Sequence, residues 1–217
     1  MKSFLVIGLG RFGQHLTRKL VELGCEVMAV DTREERIRTV MTVATSAEIG
    51  DCTRESVLGT LGVANYDACF VCVGNDFQAS LVITDLLKEK GAQKVISRAS
   101  RDIQAKFLLR NGADEVIYPE RDFAERLAVR CAKSKVFDYM ELTKEVSVYE
   151  IAVLPEWVGH TIRELNFRVK YKCSILAVRK GEETLPLPDA DYVFTGVEHL
   201  MVFGRDSDAE KIVQHLR

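Results

Sequence analysis

Phe4-Leu5-Val6-Ile7 leads directly into Gly8-Leu9-Gly10-Arg11-Phe12-Gly13, and one helical stretch later the chain reads Glu26-Val27-Met28-Ala29-Val30-Asp31. An apolar strand, a GxGxxG turn, a helix and a second strand ending on an acid form the complete context of a dinucleotide-binding βαβ unit. Each glycine has a separate task. Gly8 permits the tight turn, Gly10 lets a pyrophosphate approach the backbone, and Gly13 lets the helix pack close to the strand. The helix start then offers unpaired N–H groups and a partial positive charge to an anion.

Outward from this unit, strand and helix patterns keep alternating. Leu16, Leu20 and Leu23 share a face of the first helix, and Gly24 ends it. Thr32 and Glu35 fit a capping box for a helix that turns Ile37, Val40 and Met41 toward the sheet. Strands are expected at 47–50, 68–73, 94–97 and 115–118, the last closed by Pro119, with helices over 54–61, 77–90, 102–111 and 122–135. The stripe Phe123, Leu127, Ala128 and Cys131 marks the last of these helices. This pattern predicts an α/β fold, a doubly wound parallel sheet of Rossmann type. From Val146 the pattern changes to strands over 146–154, 174–179 and 199–204. A short helix starts at Thr161, where Thr161 and Glu164 form a second capping box. A rigid Leu185-Pro186-Leu187-Pro188 segment and a helix over 208–216 complete it. The expected organisation is a nucleotide-binding domain over 1–136, a linker over 137–145 and a smaller α+β domain over 146–217.

The 217 residues are 47% hydrophobic and 29% charged, with a formal net charge of −2. Such a balance disfavours a nucleic-acid surface, which needs a basic excess. No apolar run approaches the ~20 residues of a membrane span, so the chain is read as neither secreted nor membrane-spanning. Cys69 and Cys72 form CxxC, but residues three apart in a strand face opposite sides and cannot share a metal. They, with Cys25, Cys52, Cys131 and Cys173, read as scattered thiols. His15, His160, His199 and His215 have no ligand spacing, and those of the second domain stand near no acid in a pattern that suggests an active site.

Ligands of open α/β sheets bind beyond the carboxyl ends of the strands. Those ends carry the glycine loop Gly8–Gly13 with Arg11, then Asp31, Thr32 and Arg33, then Gly50, Asp51, Cys52 and Thr53, placed to border an adenine, then Val73, Gly74 and Asn75, and finally Arg98 and Glu120. The Asp31 carboxylate suits both ribose hydroxyls and would repel a 2′-phosphate, which favours NAD or unmodified adenosine; Arg33 is a residue type that serves a 2′-phosphate. Arg11 and Arg98 supply forked donors for phosphate oxygens. Glu120 beside the same phosphates calls for a cation between them; the alternative is a surface ion pair such as Glu120 with Arg121. A Walker loop is absent, and no catalytic residue is assigned. An NAD(P)-dependent oxidoreductase of unknown substrate is the alternative.

With these residues and Pro119-Glu120-Arg121-Asp122, the chain resembles the regulatory subunits of Ktr/Trk-type potassium uptake systems, built from domains that regulate potassium conductance (RCK domains). The likeness extends over essentially the whole chain and includes Thr161–Asn166 and Cys173–Arg179. It implies a cytoplasmic subunit, peripheral on the inner face of the membrane, that binds NAD(H) or ATP/ADP and gates an integral-membrane potassium translocator through a ligand-driven ring. It also implies dimers assembled into an octamer, with the helix over 122–135 crossing to a neighbour. An arginine matching Arg11 would contact terminal phosphates. Glu120 would help hold Mg or another cation at the dimer interface. Cyclic di-AMP would occupy the C-terminal domain near Ile162, Arg163, Asn166 and Ile175. No nucleic-acid polymer is implied as a partner. Two positions depart from the family pattern: Lys172 replaces the usual glycine after Tyr171, and Gly196-Val197-Glu198 replaces the usual Gly-Asp before the last strand.

Overall fold

The computed structural model describes residues 1–132 and 136–214. The ends of the helices expected over 122–135 and 208–216, and His215, lie outside them. The chain divides into two compact units, Met1–Glu120 and Arg121–Arg217.

In the first unit, strands β1 (Ser3–Ile7), β2 (Glu26–Asp31), β3 (Ser46–Ile49), β4 (Ala68–Val71), β5 (Val95–Arg98) and β6 (Glu115–Ile117) form one parallel sheet ordered β3-β2-β1-β4-β5-β6. The order reverses between β1 and β4, the switch point of a doubly wound fold. Helices α1 (Arg11–Glu22), α2 (Glu34–Arg38), α3 (Glu55–Thr60), α4 (Phe77–Glu89) and α5 (Asp102–Arg110) make the crossovers. Both faces of the sheet are covered, so its central strands are apolar throughout. Leu5, Ile7, Val30, Cys69 and Val71 belong to one core cluster; Val6, Val27, Ala29 and Cys72 belong to another. Cys69 and Cys72 thus lie in separate clusters, and burial pushes each thiol up to about 12.

Several local expectations need correction. Leu23 and Met41 are exposed, because α1 and α2 both end before reaching them. The Thr32–Glu35 capping box does not form: Arg33 is the N-cap of α2 and no side chain caps it. The strand expected over 68–73 stops at Val71, where Cys72 N–H makes a last bond to Ile7 O (2.7 Å) before the chain leaves the ladder. Pro119 does not end a segment but opens α6 (Pro119–Ala132), as proline does at a first helical position, where its missing N–H costs nothing. The apolar stripe of that helix is exposed in this chain, with Phe123 at 65%.

The second unit is a five-stranded antiparallel sheet ordered β10-β9-β11-β8-β7, from β7 (Val136–Thr143), β8 (Val146–Ala152), β9 (Ser174–Lys180), β10 (Glu183–Pro186) and β11 (His199–Arg205). Residues 137–145, expected as a linker, are β7 and its turn into β8. Leu185 and Pro186, expected in a connection, belong to edge strand β10, where a proline is tolerated. One face of the sheet packs on α7 (Phe167–Tyr171) and α8 (Asp206–Gln214) around the fully buried Trp157, whose Nε1–H donates to Tyr171 Oη at 2.9 Å. The Thr161–Glu164 box does form, with N–H···O distances of 2.8 and 3.0 Å, but it organises a turn. The helix itself starts only at Phe167, after Asn166 adopts φ 46°.

Both departures from the family pattern have a structural reading. Lys172 sits at φ 54°, the left-handed geometry that favours glycine. Glu198, 1% exposed, accepts from Thr195 N–H (2.9 Å), Thr195 Oγ1 (2.6 Å) and Gly196 N–H (2.8 Å), closing the turn before β11. Burial pushes its carboxyl up, but these donors outweigh burial and hold it below the ordinary value of 4.5. A lowered folded-state pKa gives stability that is complete above 4.5 and is lost as pH falls below it. Urea midpoints should therefore fall between neutral pH and pH values below 4.5, and Glu198→Gln should flatten that fall. An unchanged pH profile in the variant would refute the assignment.

Candidate functional site

A cavity of about 980 Å³ opens beyond the carboxyl ends of β1, β2, β3, β4 and β5. The glycine loop forms its floor. Gly8 sits at φ 92°, and a Cβ there would meet the backbone of Cys72 and Val73 at 3.1 Å. Gly13 does not line the cavity: a Cβ on it would lie 2.1 Å from Gly8 O, so its role is to seat α1 on β1. Gly10, the N-cap of α1, behaves oppositely. A Cβ there would meet nothing within 4 Å, and no side chain caps the helix. The first turn of α1 thus faces open space with Arg11 exposed at its lip, an arrangement suited to an anion.

Leu9 enters this site only through its backbone. Its side chain is fully buried in the core, and its N–H donates to Asp31 Oδ2 at 2.7 Å. Asp31 is itself 4% exposed. Its Oδ1 accepts from Arg33 N–H (2.9 Å), and Oδ2 also pairs with Arg36 Nη1 (3.2 Å). A carboxylate has about four acceptor positions, and three are engaged, which leaves room for about one ribose hydroxyl rather than two. Asp31 therefore organises the glycine loop as well as the cavity wall.

The remaining expected residues, Phe12, Thr32, Arg33, Gly50, Asp51, Cys52, Val73, Gly74, Asn75, Arg98 and Glu120, all border the same cavity. Thr53 donates to Asp51 through Oγ1 (2.6 Å) and N–H (3.1 Å), and these bonds hold the Asp51 carboxyl below its usual range. Cys52 is in the core, and burial, reinforced by Asp51 and Asp31, pushes its thiol up to about 12, so it is no nucleophile at neutral pH. Gly74 is not open toward a ligand. A Cβ there would lie 2.0 Å from Arg98 Nη1, so the vacancy at Gly74 is filled by the Arg98 guanidinium. Arg98 also forms an ion pair with Glu120, while its Nε is buried with no hydrogen-bond partner among the described residues. Leaving such a donor unpaired costs about 1–3 kcal/mol. Among the described residues no group of three or more His, Cys, Asp or Glu is gathered to hold a metal ion, and Glu120 contributes a single carboxylate.

Among the polar lining residues, Gln14, Arg36 and Asp76 are not expected from the sequence, while Thr53 is. Gln14 donates to Leu9 O (2.9 Å), Arg36 supports Asp31, Thr53 supports Asp51, and Asp76 caps α4 by accepting from Ala79 N–H (2.9 Å). Of the three unexpected residues, only Asp76 carried a sequence signal, an N-cap residue type directly before an apolar helix. In the second unit, Arg179 and His199 converge on the buried carboxylate of Glu150, with His199 Nδ1 2.8 Å from Glu150 Oε1. His199 thus has an acid partner from a neighbouring strand that no sequence pattern announces. His160 also lies 3.7 Å from Glu164.

Comparisons with known proteins agree along the whole chain. The TrkA-N domain model matches residues 4–119 and the TrkA-C domain model residues 147–217. Ktr system potassium uptake protein C of Bacillus subtilis is 40% identical over 100% of this chain and 99% of its own. Ktr system potassium uptake protein A of the same organism is 33% identical over 97% and 95%. Among solved structures, the GsuK channel superposes with a TM-score of 0.73 at 18% identity, covering 97% of this chain and 38% of the channel chain, which shows the shared fold. One TrkA-N and one TrkA-C domain, joined at nearly full length to these relatives, place the chain in the family of Ktr system potassium uptake proteins.

Proposed function

We propose that this chain is a regulatory subunit of a potassium uptake system, binding NAD(H) or ATP/ADP in the cavity at the switch point. One observation carries the nucleotide reading: the uncapped first turn of α1, with the empty space over Gly10, opens into the same cavity that Arg11 and Arg98 line. The residues fit a bound adenine nucleotide, with the Gly10 turn and both arginines toward phosphates and Asp31 toward a ribose. Related folds support the same choice, since solved structures of GsuK are described with NAD and with ADP.

The reading extends to assembly. The exposed stripe of α6, including Phe123 and Leu127, is apolar surface that pairing with a second copy would remove from water. In this reading dimers build an octameric ring under an integral-membrane translocator at the cytoplasmic face, a reading that the likeness to Ktr system potassium uptake proteins supports. No described helix is long and apolar enough to cross a membrane, in keeping with a separate translocator. A nucleotide shifts such a ring only through its difference in affinity between ring shapes, typically ~1–3 kcal/mol. Two copies of Glu120 would bring paired carboxylates to Mg or another cation. Cyclic di-AMP gains no support here: Arg163 is paired with Asp191 at 2.7 Å, and Ile162 and Ile175 pack against the core of their own unit.

Native mass spectrometry of the purified protein should find an adenine nucleotide and an assembly of several copies. Arg11→Ala should weaken ATP by more than ADP, the difference reflecting a lost charge-assisted bond of about 1.5–3 kcal/mol, or roughly 10- to 150-fold. Equal losses for the two nucleotides would refute a terminal-phosphate role for Arg11. Consumption of NADH with a candidate substrate would favour the oxidoreductase instead.

A further inference from the structure

The Arg98–Glu120 pair has a property that phosphate binding alone does not explain. Arg98 stands at the end of β5; its Nη1 lies in the space left by Gly74, and its Nη2 pairs with Glu120. The side chain of Arg98 is 17% exposed and that of Glu120 58%, so the arginine is enclosed by the protein while the carboxylate faces solvent. The unpartnered Nε of Arg98 shows that this carboxylate does not satisfy the whole guanidinium fork. A terminal phosphate offers three oxygens and roughly −1.5 to −2 charge at neutral pH, against two oxygens and one charge from a carboxylate.

We infer that Glu120 is an internal stand-in for phosphate: it closes on Arg98 over Gly74, and a terminal phosphate must displace it. The inference rests on the nucleotide reading of the cavity. Displacement has two consequences. The apparent affinity for a nucleotide is reduced by the fraction of molecules in which the pair is closed. The same event also releases the Glu120 carboxylate, so that it becomes available to a cation only when phosphate is present. Ligand and carboxylate are thereby coupled within one subunit, with no change of fold.

The test is ADP binding by calorimetry in EDTA, which removes any cation that Glu120 could share with phosphate. Glu120→Gln should bind ADP about tenfold more tightly than the parent chain, the gain expected if the pair is closed about nine-tenths of the time. Removing a negative charge near an anion would also help through space, so the same substitution is made in an Arg98→Ala background. A stand-in that acts through Arg98 loses its effect there, whereas through-space repulsion persists. Gly74→Ala is a second route to the same end, because its Cβ occupies the guanidinium's position, within 2.0 Å of Nη1. It too should abolish the Glu120→Gln gain, and ligand-free thermal melts report whether each variant is folded. An unchanged or weaker ADP affinity in Glu120→Gln, or an equal gain with and without Arg98, would overturn the inference while leaving the nucleotide site standing. A parent chain that binds neither ADP, ATP nor NAD would overturn the nucleotide reading itself.

Discussion

Gly13→Ala is expected to destabilise the N-terminal unit by about 3 kcal/mol or more and to abolish nucleotide binding. The added Cβ would lie 2.1 Å from Gly8 O and 3.1 Å from Gly8 C. Both are backbone atoms of the tightest turn in the site, so no side chain can rotate away. Helix α1 would have to lift off β1, and overpacking of this kind costs about 1–3 kcal/mol even where neighbours can yield. Because α1 carries Gly10 and Arg11 at its start, the anion site moves with it. Gly10→Ala provides the contrast. Its Cβ meets no protein atom, and its φ of −65° suits alanine, so stability should stay within about 1 kcal/mol. Nucleotide affinity should nevertheless fall, because the methyl group occupies the ligand's space. Urea unfolding and ADP titration of both variants decide the matter. Equal stability losses at the two positions would show that the loop geometry has been misread.

Asp31→Ala is expected to cost about 2–4 kcal/mol in stability, from a different cause. The substitution strands the N–H of Leu9, a fully buried residue, and removes the acceptor for Arg33 N–H and the partner of Arg36. An orphaned buried donor carries its full desolvation penalty, and loss of one partner of a buried pair adds to it. Arg36 is one-third exposed and can rehydrate, which keeps the total at the lower end of what a fully buried pair would lose. Asp31→Asn keeps one acceptor oxygen and should fall between the parent and the alanine variant. Both variants should lose affinity for NAD and for ATP, since the loop and the ribose contact fail together. A stability change under about 0.5 kcal/mol in Asp31→Ala would refute the organising role of this carboxylate.

How much of this could be read from the chain depends on how far apart the partners are. The βαβ unit from Phe4 to Asp31 was legible because each of its requirements is local: a short apolar strand, glycines at fixed offsets, and an acid at the next strand end. The opposed placement of Cys69 and Cys72 followed from the two-residue period of a strand. Strand β7 was missed, although Val136–Thr143 contains suitable residues. The ladder register shifts between Val136 and Asp138 and again between Glu141 and Thr143, and such irregularities break the alternation that marks a strand. Pro119 was misjudged because a proline reads equally as the end of one element or the first residue of the next.

The amino-acid order alone determined the doubly wound sheet, the family likeness and most of the residues that border the cavity, because those signals rest on spacings of a few residues. Only the tertiary structure decided what those residues do to one another. Asp31 spends its acceptors on Leu9, Arg33 and Arg36; Arg98 fills the gap at Gly74 and pairs with Glu120; and Glu150, Arg179 and His199 converge from three strands. Hydrogen bonds and ion pairs form between groups brought within about 3–4 Å, and for residues far apart in the chain that proximity is set by sheet order and register, not by sequence spacing.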